Sequence, residues 1–327
     1  MIGRVGAVTD PGRKRRRNED AYVVEPPLFA IADGMGGAQA GEIASRLATA
    51  ALREGGGVET GGEQRIVDLI QEANRRVYDR SSTDPNTSGM GTTITVALVE
   101  DGSVAFGHVG DSRAYLIRDA SMEQLTEDHS LVNELLKTGR LSREEAEVHP
   151  QRSVITRALG TDPDVDVDTF TVPARTGDLF VLCSDGLTDM VSEHSILSVV
   201  ERNRNDIEAA LRALVKAANR GGGQDNITVV AFEIMDEPLA SDGDTREQVL
   251  PGETASAEED TLTEADSVPV IDTAVISVDE INAQAAAQAP EEPASRPRHL
   301  RRRLVAWLVL LLFATAIAVF LILRFLL

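Results

Sequence analysis

Along residues 1–235 short apolar runs trade places with longer stretches of helical spacing. Strands are predicted where β-branched and apolar residues run between turn signals. These are Ile2–Thr9, Tyr22–Glu25, Leu28–Ala32, Thr92–Glu100, Ser103–Val109, Ala114–Arg118, Val165–Val172, Leu179–Cys183 and Ile227–Ile234. Asp101-Gly102 reads as the hairpin turn between two of them. Helical periodicity covers Gly41–Arg53, Gln64–Arg80, Thr126–Val148, Glu193–Glu201 and Asp206–Arg220. Ser142 and Glu145 form a capping box inside the third of these. Gln151–Asp164 is irregular, broken by Gly160 and Pro163.

Beyond residue 235 the pattern stops. From Asp236 to about Pro297 no period persists and no aromatic residue occurs, so too little apolar surface is available to offset the entropy of ordering. We read 236–303 as an acidic disordered linker ending in a basic cluster, Arg296, Arg298 and Arg301–Arg303. Leu304–Leu323 then runs 20 residues without a charge, about 30 Å as a helix, the thickness of a bilayer core. The arginines on its N-terminal side place everything upstream in the cytoplasm. Met1–Thr9 lacks the long apolar core of a signal peptide. The expectation is a single-pass anchor in the cell inner membrane, with the 1–235 domain cytoplasmic.

Charge sharpens this division. The net charge is −21, but sixteen Asp/Glu against one Arg lie between Asp236 and Glu292, so the folded region is close to ordinary. Nucleic acid is therefore excluded as a partner of the whole chain. The one cysteine, Cys183, falls inside an apolar strand; it reads as a packed thiol in a reducing compartment.

The candidate chemistry lies at strand ends. Asp33-Gly34 and Asp185-Gly186 each terminate an apolar strand, Asp111 follows Val109-Gly110, and Asp225 sits between a Gly-rich turn and the last strand. Clustered carboxylates without Cys or His are oxygen ligands for hard cations. Two such cations can hold a water between them, lower its pKa and clamp an in-line displacement at phosphorus. Asp-Gly is also a common turn pair, so spacing alone leaves open four unrelated turn aspartates. Upstream, the cations Arg13–Arg17 abut Glu19 and Asp20, which implies a specific anionic partner for one arginine.

Arg15-x-x-Asn18-Glu19-Asp20, Asp33-Gly-Met-Gly-Gly37, Ser88-Gly-Met-Gly-Thr-Thr93, Gly110-Asp-Ser-Arg113, Ser184-Asp-Gly-Leu187 and Gly222-x-x-Asp225-Asn226 occur in this order. Together they resemble the metal-dependent serine/threonine protein phosphatases, the PPM or type-2C family, in their bacterial form. The resemblance covers Met1 to about Glu233. It implies an α+β fold, a four-layer α-β-β-α sandwich of two antiparallel sheets flanked by helices. It implies two to three Mn²⁺ or Mg²⁺ ions, with Asp33 bridging two of them and the Gly34 carbonyl on one. Asp185 and Asp225 would complete the first metal, Glu19 and Asp20 would hold waters or the second, and Asp111 would hold a weaker third. Arg15 matches the phosphate-binding position, where a planar guanidinium fork suits phosphate oxygens. Ser153 falls where a mobile flap approaches the third metal. Many eukaryotic relatives carry His at the position of Met35, a candidate proton donor; methionine cannot fill that role, and His108 reads as a packed residue. The implied function is a membrane-tethered phosphatase acting on phosphoserine and phosphothreonine in proteins and opposing Ser/Thr kinases, its catalytic domain a monomer. A pseudophosphatase scaffold and a small-molecule phosphohydrolase are the alternatives.

Overall fold

A computed structural model describes residues 1–36, 40–55, 61–147 and 149–235. The linker at 236–303 and the span at 304–323 lie outside the described residues. Among the described residues no helix is long and apolar enough to cross a membrane.

The chain opens with β1 (Ile2–Asp10), β2 (Ala21–Glu25), β3 (Leu28–Ala32) and the two-residue β4 (Gly34–Met35), then α1 (Ala40–Glu54) and α2 (Gly62–Thr83). Next come β5 (Gly91–Thr92), β6 (Ile94–Glu100), β7 (Ser103–Val109), β8 (Arg113–Arg118), β9 (Ser121–Gln124), α3 (Leu131–Lys137) and α4 (Arg143–Glu147). It finishes with β10 (Asp168–Pro173), β11 (Leu179–Cys183), α5 (Asp185–Thr188), α6 (Glu193–Arg202), α7 (Ile207–Gly221) and β12 (Ile227–Ile234).

Two five-stranded sheets result, ordered β1-β12-β11-β8-β9 and β10-β7-β6-β3-β2, and every pairing in them is antiparallel. The sheets pack face to face through aromatic rings. Across the interface Phe29 stacks on Phe232 with centroids 4.1 Å apart and Phe106 lies 5.8 Å from Phe180, while Phe180 and Phe232 are cross-strand neighbours 5.2 Å apart within the first sheet. Truncating a ring such as Phe232 to Ala would cost about 3–5 kcal/mol, because the surrounding sheets cannot close the void. Helices α1 and α2 cover the outer face of the second sheet through Ala44, Ala48, Ile66, Ile70 and Ala73. Helices α6 and α7 cover the first through Ile196, Val200, Leu211 and Leu214. β3, β11 and β12 are buried throughout; covered on both faces, they read as continuous apolar runs rather than alternating ones.

The expected strands and the two helix pairs appear, with three differences. Thr126–Val148 is not one helix. Its start is extended and bonded to the β7–β8 region, Leu125 N to Ala114 O at 2.8 Å and His129 N to Gly110 O at 2.7 Å. Gly139, with φ +68°, then separates α3 from α4. The capping box does form at α4: Ser142 N donates to Glu145 Oε2 at 2.8 Å and Glu145 N to Ser142 Oγ at 3.2 Å. The predicted strand Thr92–Glu100 breaks at Thr93, which turns to bind Asp33. β9 was not expected, because its hairpin turns on Asp119 and Ala120, both at positive φ (51° and 56°), without the glycine that usually marks such a turn.

Candidate active site

Antiparallel pairing brings the acidic residues to one end of the sandwich. β2 begins where β3 ends, so Asp20 and Asp33 share that end. β12 and β8 both begin where β11 ends, which brings Asp225 and Asp111 to the side of Asp185.

Each carboxylate is placed by backbone and hydroxyl contacts. The Asp33 carbonyl accepts from Thr93 N (2.9 Å) and Thr92 Oγ1 (2.8 Å), and its amide donates to Thr93 Oγ1 at 3.1 Å. The same Thr93 hydroxyl lies 3.0 Å from Ser112 Oγ, tying the Asp111 loop to Asp33. Asn226 is a hub: its Oδ1 accepts from Glu19 N at 2.7 Å, and its Nδ2 donates to the carbonyls of Pro11 (3.0 Å) and Arg17 (2.8 Å). Asp20 Oδ2 accepts from Thr228 Oγ1 at 2.6 Å and Ser184 Oγ at 3.0 Å. Both Asp-Gly pairs need their glycine. A Cβ on Gly34 would stand 2.1 Å from the Gly41 carbonyl, and one on Gly186 would stand 2.0 Å from the Asn226 carbonyl.

Arg15 has an anionic partner of the kind the sequence implies. It donates to Asp225 Oδ2 at 2.8 Å. Burial works against its charge, but Asp225, Asp33 and Glu19 outweigh that and raise its pKa. The carboxylates have no comparable relief. Burial, then Asp20, Asp185, Asp225 and Asp111, push Asp33 well above the usual range. Burial, then Asp111 and Asp225, do the same to Asp185. Asp20 is pushed up to about 6 by burial, against the help of Thr228 and Ser184. Asp111 reaches about 7 through burial and the neighbouring Asp128 and Asp189, because Arg113 is committed to Asp128 at 2.6–3.1 Å. Burial also raises Glu19.

This is an incomplete charge arrangement. Asp20 Oδ1 and Asp185 Oδ1 are buried with no hydrogen-bond partner, a costly state for a carboxylate. Among the described residues no group of three or more His, Cys, Asp or Glu side chains stands close enough together to hold a metal ion as placed. The orphaned oxygens, the mutual repulsion and the all-oxygen donor set nevertheless fit hard divalent cations.

A family model for "Protein phosphatase 2C" matches residues 16–227. The chain belongs to the protein phosphatase 2C family. With it, the chain joins the metal-dependent serine/threonine phosphatases. It is 42% identical over 240 residues to the serine/threonine phosphatase stp of Listeria innocua, covering 69% of this chain and 93% of that one. It is 37% identical over 306 residues to the serine/threonine protein phosphatase PstP of Mycobacterium tuberculosis, covering 93% of this chain and 58% of that one. The crystal structure of the M. tuberculosis phosphatase superposes with a TM-score of 0.68 at 39% identity, covering 72% of this chain and all of that one. A PstP catalytic domain in complex with two manganese ions gives a TM-score of 0.65 at 37% identity, covering 71% and 98%.

In this phosphatase the other singled-out residues fall as follows. Met35 packs against Ile155 and Ala158. His108 is buried and paired through Nδ1 with Thr95 Oγ1 at 3.0 Å; burial and the adjacent His129 push its pKa down to about 3, so it is neutral. Cys183 is fully buried, and burial pushes its thiol up to about 12. Ser153 is half-buried and makes no hydrogen bond among the described residues; its neighbour Arg152 instead reaches Asp189 Oδ2 at 3.7 Å. Sequence reasoning missed Asp189, which faces Asp111 and Asp185 electrostatically. The signal was its place four residues after Asp185, on the same side of one helical turn. It also gave no role to Asn226, Thr93, Ser184 or Thr228, whose hydroxyls and amides are too common in loops to stand out.

Proposed function

We propose that the chain is a membrane-tethered phosphatase that hydrolyses phosphoserine and phosphothreonine in proteins near the membrane and opposes Ser/Thr kinases. The observation that carries the reading is the pair of orphaned buried oxygens, Asp20 Oδ1 and Asp185 Oδ1, at the end of the sandwich that also holds Asp33. Asp33, Asp185, Asp225 and the Gly34 carbonyl would hold one cation. Asp33 would share a second with Glu19 and Asp20, and Asp111 a weaker third. Bound cations of this kind supply a water of lowered pKa and positive charge at the phosphoryl oxygens. Arg15 binds the phosphate. Its fork makes one bond to Asp225, leaving donors for phosphate oxygens. Asn226 and Thr93 hold Glu19 and Asp33 in register. Met35 has no proton to give and His108 is buried and neutral, so neither protonates the leaving alkoxide.

The tether is argued from the uncharged run 304–323 and the arginines before it. The match to PstP, 93% of this chain, extends past residue 235. Anchoring would raise the effective concentration toward membrane-bound phosphoproteins.

The test is dephosphorylation of a phosphothreonine protein by the full chain with Mn²⁺ and with excess chelator. Turnover only with metal is expected. Phosphopeptide binding without turnover would make the chain a scaffold, and turnover of nucleotides but not phosphoproteins would make it a small-molecule phosphohydrolase. Protease treatment of intact and lysed cells tests the topology; cleavage of the acidic linker from outside contradicts it.

A further inference from the structure

A groove of about 490 Å³ runs between α6 and α7, lined by Met190, Ser195, Ser198, Arg202, Ala217 and Arg220 among others. His194 and Ser192 also face it, and no Asp or Glu does. Elsewhere Arg15, Arg46, Arg53, Arg75, Arg76, Arg80, Arg113, Arg118 and Arg212 are each paired with a carboxylate. Arg202 gives one nitrogen to the Ser198 carbonyl at 3.0 Å, and neither it nor Arg220 makes an ion pair among the described residues. Both are exposed.

The chain connects the groove to the active site along two routes. Met190 on its wall follows Asp189, which bears on Asp111 and Asp185. Arg220 precedes the Gly221–Gly223 turn that leads into Asp225, and Gly223 O accepts from Arg13 N at 2.8 Å, beside exposed Lys14. Cations without an ion pair among the described residues thus follow this path, Lys14 and Arg13 next to Arg15 at one end and Arg220 and Arg202 at the other.

We propose that this groove binds acidic residues flanking the phosphorylated residue of the substrate, so that the phosphatase prefers phosphopeptides with a run of Asp or Glu on one side. The inference rests on the proposed protein-phosphatase function and names its substrate class. Charge complementarity selects the occupant: the groove carries two guanidiniums with no ion pair among the described residues, and no carboxylate lines it. Arg202 Nε reaches the Ser198 carbonyl and Ser192 Oγ lies 2.9 Å from Ser195 Oγ, but the guanidinium forks keep donors to spare for carboxylates. The charges are exposed, so the effect on affinity is moderate and salt-sensitive.

The test compares phosphothreonine peptides that are neutral, acidic on the N-terminal side or acidic on the C-terminal side, together with p-nitrophenyl phosphate. The enzymes are the full chain and its Arg202→Glu/Arg220→Glu variant. Wild type is expected to show a KM about threefold to tenfold lower for one acidic peptide, two surface ion pairs' worth, and the preference should shrink as salt rises. The variant should lose the preference while its kcat/KM for p-nitrophenyl phosphate is unchanged. Absence of any preference in wild type, or its persistence in the variant, overturns the proposal. A variant with lower KM for every peptide also overturns it, because the acidic segment 236–292 would then be the occupant. Hydrolysis of p-nitrophenyl phosphate without turnover of any peptide would instead count against the protein-phosphatase reading.

Discussion

The two ends of the β-sandwich treat buried carboxylates in opposite ways. At the end where β11 begins and β12 finishes, Asp178 and Glu233 are 1% and 6% exposed. Each is gripped at both oxygens: Asp178 by Arg118 at 2.6 and 2.7 Å, and Glu233 by Arg4 at 2.8 and 3.0 Å. At the other end Asp20, Asp33, Asp185 and Asp111 face one another. Arg15 gives its ion pair to Asp225, and Arg113 is committed to Asp128. One fold can therefore satisfy a buried carboxylate with an internal cation where stability is the only demand. Where it withholds that cation, the folded state is held above its electrostatic minimum and is ready for cations from solution.

This contrast breaks most readily at Asp33. Asp33→Asn should lower phosphopeptide turnover by at least about a thousandfold. In chelator its melting temperature should rise, since one of several mutually repelling charges is gone. A variant that keeps a tenth of the activity would end the comparison. The opposite end should behave inversely. Arg118→Met strands Asp178 in the interior and should cost about 3 kcal/mol in urea unfolding, with kcat unchanged. Arg15→Lys comes next, replacing the fork with a point charge. It should reduce kcat/KM by about tenfold, measured with phosphopeptide at low substrate.

The smallest effect is on pH. Asp20 at about 6 and Asp111 at about 7 stand above the ordinary value of 3.8. The metal-free folded protein therefore keeps protons that the unfolded chain releases. That contribution is fully present below pH 3.8 and is lost as pH rises through 6 to 7. Melts in chelator should fall in temperature across this window, and Asp111→Asn should flatten the fall. A slope unchanged by the variant would remove Asp111 from the cluster.

Most of the architecture was legible in the sequence because the central strands are buried on both faces. Ser103–Val109, Leu179–Cys183 and Ile227–Ile234 coincide with their observed bounds. Edges and connections were less legible. The helical spacing after Thr126 concealed an extended stretch fixed by long-range bonds to Gly110 and Ala114, which no local pattern reports. At the site, the Asp residues stood out because Asp after an apolar strand is unusual. The groups that hold them did not: Asn226 reaches Glu19 across 207 positions and Thr93 reaches Asp33 across 60, distances over which periodicity carries no information. Asp189 was hidden for another reason, since it follows a short helical turn and not a strand. Ser153 was placed by the resemblance alone, and in the same stretch Arg152 reaches Asp189.

The central claim is that the unpaired end is built for cations. A calorimetric Mn²⁺ titration of the full chain near neutral pH, run in two buffers of different ionisation enthalpy, tests it most directly. Binding of at least two ions with net proton release is expected, because carboxylates held partly protonated must ionise to become ligands, together with loss of that binding in Asp33→Asn. Binding without proton release, or binding of equal strength in Asp33→Asn, would contradict it.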